Sequence, residues 1–239
     1  MGILFLVRHA QASFLEPNYD KLSALGEVQA RLLGEHWAQR KIAFDRVCVG
    51  PCTRQKDTVT RVSAACRQAG LKFPEPQIFP EFDEYPGEAV LRRSLPALLE
   101  SDQGIRDLHA AFQSATSNAT QRATFQKLFA AIIGNWVRGV VRLEGVETWP
   151  EFCARVNSGL VKFLASEKHG EKVAIFTSGG PIAVATQRAL QLSPESTLQM
   201  TWMSHNSSWS EFLYHAERFT LSSFNIHEHI GDPAMLTYR

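Results

Sequence analysis

Much that would betray a familiar chemistry is missing from this chain. It has only four cysteines in 239 residues, Cys48, Cys52, Cys66 and Cys153. Only the first two are close together, and neither a second close cysteine pair nor a His-x-His lies near them in the sequence. The ligand spacing of a zinc site is therefore absent, and the scattered thiols read as reduced, small, mostly buried side chains. There is no surplus of charge: 25 basic and 24 acidic residues leave a net +1. A balanced chain lacks the electrostatic footprint for nucleic acid or an anionic membrane. No apolar run approaches transmembrane length. The opening run Ile3-Leu4-Phe5-Leu6-Val7 ends at Arg8 with no basic segment before it, too short for a secretory signal, so a cytoplasmic location is expected. No Gly-x-Gly-x-x-Gly follows a strand-like run, and Ser178-Gly179-Gly180 has the wrong spacing for a dinucleotide fingerprint.

What is present is enough to bury one sizeable core, since 44% of the residues are hydrophobic. Residues 3–7 form a short unbroken apolar run, the mark of a central strand buried on both faces. A polar loop leads to Ser23, after which Leu25, Val28, Leu32, Leu33 and Trp37 recur at helical spacing. Residues 45–49 predict a second strand, ended by Gly50-Pro51, and Thr53 to Ala69 a second helix. Residues 172–177 predict a third buried strand, followed by Ser178-Gly179-Gly180-Pro181 and a helix to about Leu192. Segments 208–214 and 219–224 alternate and read as an antiparallel pair at the sheet edge. Between these, residues 86–140 hold helical spacing and turn residues but no strand, and 148–166 add an amphipathic helix. The expected fold is an α/β, three-layer α/β/α sandwich over residues 1–239. Its central sheet is mostly parallel with an antiparallel edge, and 86–140 form a helical cap insertion.

Three polar clusters fall directly after the three predicted strands, where open α/β sheets bind ligands. Arg8-His9 follows the first. Arginine offers a planar fork of donors for phosphate oxygens, and an oriented histidine is a competent phosphoryl acceptor. Arg54, in Gly50-Pro51-Cys52-Thr53-Arg54, follows the second. Ser178-Gly179-Gly180-Pro181 follows the third, and Pro181 suits the first turn of a helix whose free N–H groups attract an anion. Each cluster alone has a plain alternative: a hydrogen-bonded core histidine, a surface arginine, an ordinary strand-to-helix turn.

Together the clusters resemble the histidine phosphatase superfamily, the group that includes phosphoglycerate mutase. Leu6-Val7-Arg8-His9-Ala10-Gln11 is similar to its strand-Arg-His-Gly signature, and Leu22-Ser23-Ala24-Leu25-Gly26-Glu27-Val28-Gln29-Ala30 to its Leu-Ser-x-x-Gly-x-x-Gln-Ala helix. Gly50 to Thr58 resembles its Ser-x-x-x-Arg-x-x-x-Thr stretch. Glu147-Thr148-Trp149 with Arg155-Val156 resembles its Gly-Glu-Ser…Arg-Val segment, and Phe176 to Ile182 its strand-Ser-His-Gly-Gly turn.

The resemblance implies that His9 is the nucleophile, that Arg8 and Arg54 clamp the phosphoryl oxygens, and that Ser178 and Gly179 contribute to the anion site. It implies a general acid in Phe79-Pro80-Glu81-Phe82-Asp83-Glu84, with Glu84 favoured over Glu81. Two positions depart from the pattern. Ala10 replaces the signature glycine, and Ser178 stands where the family has its second histidine. Losing such a charged donor is worth about 2.7–4 kcal/mol of transition-state stabilisation. His205 is a candidate to fill the space.

The expected function is that of a metal-independent phosphatase, using no cofactor and passing through phospho-His9. The alternatives are a phosphate-binding or regulatory protein with weak turnover and a mutase-type phosphotransferase. The expected partner is a phosphorylated small molecule or phosphate, with neither nucleic acid nor membrane. Its identity would be set by residues 86–140, which carry Arg92, Arg93, Arg106 and Arg122. The sequence leaves the oligomeric state open, a homodimer included.

Overall fold

The computed structural model describes residues 1–13, 20–165, 170–215 and 218–238. Two compact units emerge, one made of Met1–Glu84 with Ala154–Arg239 and the other of Tyr85–Cys153.

The first unit is built on a six-stranded sheet of order β3-β2-β4-β1-β5-β6. Its strands are β1 (Gly2–Arg8), β2 (Arg46–Val49), β3 (Gln77–Ile78), β4 (Lys172–Thr177), β5 (Trp209–His215) and β6 (Arg218–Ile226). The pairs β1–β4, β2–β4 and β2–β3 are parallel, and β5 and β6 add an antiparallel edge beside β1. Pleating sends alternate residues to opposite faces. Phe5, Val7, Val47, Val49, Ala174 and Phe176 meet Ala30, Leu33 and Trp37 of α1 (Ala24–Gln39) and Val59, Val62 and Cys66 of α2 (Thr53–Gln68). Trp37 sits fully buried among the rings of Phe5, Phe44, Phe176 and Trp209, all edge-on, the geometry that aromatic quadrupoles favour. On the opposite face Tyr214, paired with Gly2, packs against Phe163 of α6 (Trp149–Ala165), which also lies under the Arg46 guanidinium. Helices thus cover both faces of the sheet.

The register brings the polar clusters level. Arg8 pairs with Thr177, Val49 pairs with Phe176, and the Gly50 N–H donates to the Phe176 carbonyl. Among the described strands and α-helices of this unit, two were not expected. β3 is two residues long, too short to leave a period, and α8 (Pro194–Met203) carries a mixed pattern whose clearest signal is its Ser193 N-cap. The helix after β4, α7 (Gly179–Leu190), stops at Gln191 in the left-handed conformation, φ 56°.

In the second unit α3 (Gly87–Ser101), α4 (Gln103–Gln113) and α5 (Asn118–Val137) lead into the start of α6. The Asp102 carboxylate caps α4 at the Ile105 N–H, and the Ser117 hydroxyl oxygen caps α5 at the Thr120 N–H. Trp136 stacks on Tyr85, meets Trp149 edge-on and donates Nε1–H to the Glu147 carbonyl at 3.1 Å. Arg106 is taken up inside this unit, donating to Gln103 and to the Leu99 and Glu100 carbonyls. Among the described residues no helix is long and apolar enough to cross a membrane.

Candidate active site

The carboxyl ends of β1, β2 and β4 gather the site residues inferred from sequence. His9 is buried, and its backbone continues the sheet by donating N–H to Thr177 O at 2.8 Å. Its ring is fixed at both nitrogens. Nδ1 lies 2.8 Å from the Ala10 carbonyl, which can only accept, so Nδ1 carries the proton. Nε2 then holds the lone pair, and Arg54 Nε–H donates to it at 3.1 Å. Burial, then the positive charges of Arg54 and Arg8, hold the imidazole well below its ordinary value, against a smaller lift from the Ala10 carbonyl. His9 is therefore neutral at neutral pH.

Arg54 enters from the first turn of α2 and also pairs with Asp20, Nη1 to Oδ1 at 2.7 Å. Arg8 ends β1. Its Nη1 donates to the Ser204 carbonyl and its Nη2 to the Tyr238 carbonyl at 2.7 Å. Gly179 follows β4, and a Cβ there would come within 3.1 Å of the Thr201 carbonyl and 3.8 Å of Arg8 Nε. Glycine at this position lets the start of α7 lie close against α8 and Arg8.

Ser178 is fully buried, and its Oγ accepts from Gln55 Nε2 at 2.8 Å. The same Gln55 amide accepts the Cys52 N–H and donates to the Phe82 carbonyl, tying the loops after β2 and β4 to the stretch before Glu84. That stretch separates the two acid candidates. Glu81 is paired with Lys162 Nζ at 2.7 Å and sits below its ordinary value chiefly through that bond. Glu84 instead reaches the start of α7, where its Oε2 accepts from the Gly180 N–H at 3.4 Å. Arg155 anchors the loop carrying both by donating to the carbonyls of Glu81 at 2.9 Å and Asp83 at 3.2 Å. His205 has its Nδ1 on Asn225 and its ring against His227 and Tyr238.

Several residues around the site were given no role by sequence reasoning, although Gln29 and Thr58 are letters of the quoted patterns. Asp20 is a polar loop residue just before the Leu22-Ser23 motif. Gln29 and Gln55 look like helix surface but are completely buried. Gln29 accepts the Gln11 N–H and donates to Met235 O and Thr237 Oγ1, joining the first loop to the chain's last described residues. Thr58 accepts the Ala10 N–H at 3.0 Å. Gly26 is explained too: a Cβ there would fall 2.1 Å from the Gln11 carbonyl, so only glycine lets α1 abut this loop.

The arrangement holds a neutral imidazole with its lone pair directed at a guanidinium, a second guanidinium beside it, and a carboxyl at a helix start. Such a set can take an oxyanion and attack it. A thiol route is closed. Burial pushes Cys52 up to about 12, and Asp83, which accepts its S–H at 3.0 Å, adds to the rise although Arg54 opposes it. A thiol held there is not a nucleophile near neutral pH.

The fold that carries this geometry has counterparts among known proteins. No curated protein matches the chain in sequence. Among solved structures it is similar to a candidate α-ribazole-5′-P phosphatase from Escherichia coli, with TM-score 0.64, 19% identity, and 95% of this chain and 97% of the other covered. It is similar to a mycobacterial glucosyl-3-phosphoglycerate phosphatase, with TM-score 0.61, 19% identity and 94% and 99% covered. It also resembles a mutant phosphoserine phosphatase from Entamoeba histolytica in complex with phosphoserine, with TM-score 0.63, 16% identity and 96% and 100% covered. At these identities the structures share the fold. The model of the Histidine phosphatase superfamily (branch 1) matches residues 88–227, which include Ser178–Ile182 and lie after the Arg8-His9 loop. With more than half of its length matched, the chain belongs to the histidine phosphatase superfamily, branch 1, and with it to the phosphoric monoester hydrolases.

Proposed function

We propose that the protein hydrolyses a phosphomonoester through a phosphohistidine on His9, with guanidinium groups supplying the charge stabilisation and no metal required. The observation that carries this reading is the fixed tautomer of His9, Nδ1–H on the Ala10 carbonyl and the Nε2 lone pair facing Arg54. In the first step Nε2 bonds to phosphorus as the bond from phosphorus to the leaving oxygen breaks. Glu84 gives its proton to that oxygen. In the second step water attacks the phosphohistidine, Glu84 takes its proton, and inorganic phosphate leaves with His9 neutral again. Arg54 Nε–H occupies the attacking lone pair at rest, so it must pass to a phosphoryl oxygen as substrate enters. The neutral histidine suits this role, since protonation would remove the lone pair, and phosphoryl transfer needs mainly positioning and charge stabilisation.

The test is trapping of an acid-labile phosphoenzyme from a labelled aryl phosphate. Wild type should form it in a burst, and His9→Ala should form none, with activity reduced about 10⁴-fold or more and the fold retained by circular dichroism. A phosphoenzyme that forms equally well in His9→Ala refutes the mechanism. A second reading, a phosphate-binding protein with weak turnover, is favoured by Ser178, whose buried hydroxyl supplies no positive charge and is engaged by Gln55. It predicts phosphate binding without a burst.

A further inference from the structure

Asp20 is gripped by the first turn of α2. Its Oδ2 accepts from the Thr53 N–H at 2.8 Å, and its Oδ1 accepts from the Arg54 N–H at 3.4 Å and from Arg54 Nη1 at 2.7 Å. Burial pushes the carboxyl up, but the Thr53 N–H and the Arg54 charge and hydrogen bonds outweigh it and keep the group below its ordinary value. A carboxylate at a helix start satisfies free N–H groups and complements the dipole. Here it also takes the guanidinium of a residue in that same turn. The contacts close a ring from the helix start through the Arg54 side chain to Asp20 and back. Arginine is long and has much rotamer freedom to lose. With Nη1 tied down, the Nε edge is left on His9 Nε2 at 3.1 Å.

We propose that Asp20 is a positioning residue for phosphoryl transfer: it pins Arg54 so that the Nε edge faces the point where the phosphoryl group meets His9 Nε2. The proposal rests on the phosphohistidine reading above. Asp20 does not touch the substrate. It acts as the pivot about which Arg54 shifts its Nε–H from the resting lone pair to a phosphoryl oxygen, while Nη1 stays on the carboxylate. It also offsets one of the two positive charges beside His9, so that the product anion is not held too tightly.

The test is a double-mutant cycle in the full chain, with Asp20→Asn and Arg54→Ala, read with an aryl phosphate and with vanadate inhibition. Asp20→Asn keeps the shape and one acceptor but loses the charge and sets an amide against a donor. It should lower kcat at least tenfold and change KM less than threefold. In the Arg54→Ala background the same change should cost less than twofold, because a residue acting through Arg54 has nothing left to position. An equal loss in both backgrounds overturns the proposal. So does tighter vanadate binding with undiminished kcat, which would make the carboxylate a competitor of the substrate. Should Asp20→Asn fail to fold, Asp20→Glu takes its place in the cycle, keeping the charge but displacing it by one methylene, with the same non-additivity expected. Phosphoenzyme trapping in wild type separates the two failures. Without phospho-His9 the parent reading falls, whereas phospho-His9 with an additive cycle removes Asp20 alone.

Discussion

The sheet end of the first unit and the helical second unit are held together in different ways. At the sheet end, buried polar side chains bond across long stretches of sequence: Gln55 to Ser178, Gln29 to Met235 and Thr237, Arg8 to Ser204 and Tyr238. In the second unit the polar bonds described above span less sequence, three residues in the caps at Asp102 and Ser117, six and seven from Arg106 to Glu100 and Leu99, and eleven from Trp136 to Glu147, and ring packing around Trp136 does the longer-range work. A site for an anion needs donors converging from several strands, and each buried donor must be satisfied or it costs about 1–3 kcal/mol. A helical unit needs only caps and an apolar face. The first is intolerant of single polar changes, and the second of lost ring volume.

The largest change expected from breaking that contrast is in the second unit. Trp136→Ala should destabilise by about 3–5 kcal/mol, because a buried indole with two ring partners and a bonded N–H is removed. Denaturant melts would show it, and a loss under 1 kcal/mol would mean the rings are not what holds the unit. At the sheet end, Glu84→Gln should slow hydrolysis of esters with poor leaving groups about 100-fold while hardly touching those with good ones, as expected for a lost general acid. Equal slowing of both would strip Glu84 of that role.

A third experiment uses pH. Burial, aided by the charges of His36 and His227, lowers His229 to about 3. Its Nε2 meets Ser207 Oγ at 2.7 Å, while Nδ1 has no hydrogen-bond partner among the described residues. The unfolded chain therefore binds a proton here below about pH 6.5 that the folded chain refuses. Stability must fall as pH drops through 6.5 and go on falling toward 3, by about 2 kcal/mol at pH 5 for this residue alone. His229→Gln should recover about that much of the acid-limb slope, and an unchanged slope would assign the loss to other groups. His9, His36 and His205 lean the same way. The smallest effect is expected from Ser117→Ala, about 1 kcal/mol from the lost α5 cap, measured by the same melts.

The sheet was legible because strands buried on both faces leave unbroken apolar runs, and the site was legible because its residues follow those runs directly. Arg8, His9, Arg54 and Gly179 could be named for that reason. Glu84 could be favoured over Glu81 but not separated from it. Their surroundings differ through Lys162, a residue far along the chain that pairs with Glu81 and whose approach leaves no trace in local spacing. Gln29 entered only as a letter of the Leu-Ser-x-x-Gly-x-x-Gln-Ala pattern and Gln55 not at all, because a glutamine on a helix normally marks solvent and the burial of both depends on loops that converge from elsewhere in the chain. Asp20 was unreadable for a related reason: its partner lies 34 residues away, and nothing in the intervening pattern announces the pairing.

The contact between Arg8 and the Tyr238 carbonyl has a consequence for inheritance. It is made by the main chain, and nineteen of the twenty amino acids at position 238 would place the same oxygen there with little change. Proline alone constrains the backbone enough to matter. Substitutions at this position therefore give up the ring contact with His205 but keep the oxygen that Arg8 uses, so descendants of this chain can diverge in the side chain of residue 238 and still hold the arginine in place. A comparison of letters would judge the position unimportant. Shifting the path of the backbone, by deleting a residue between Asp232 and Tyr238, is the kind of change that Arg8 would register.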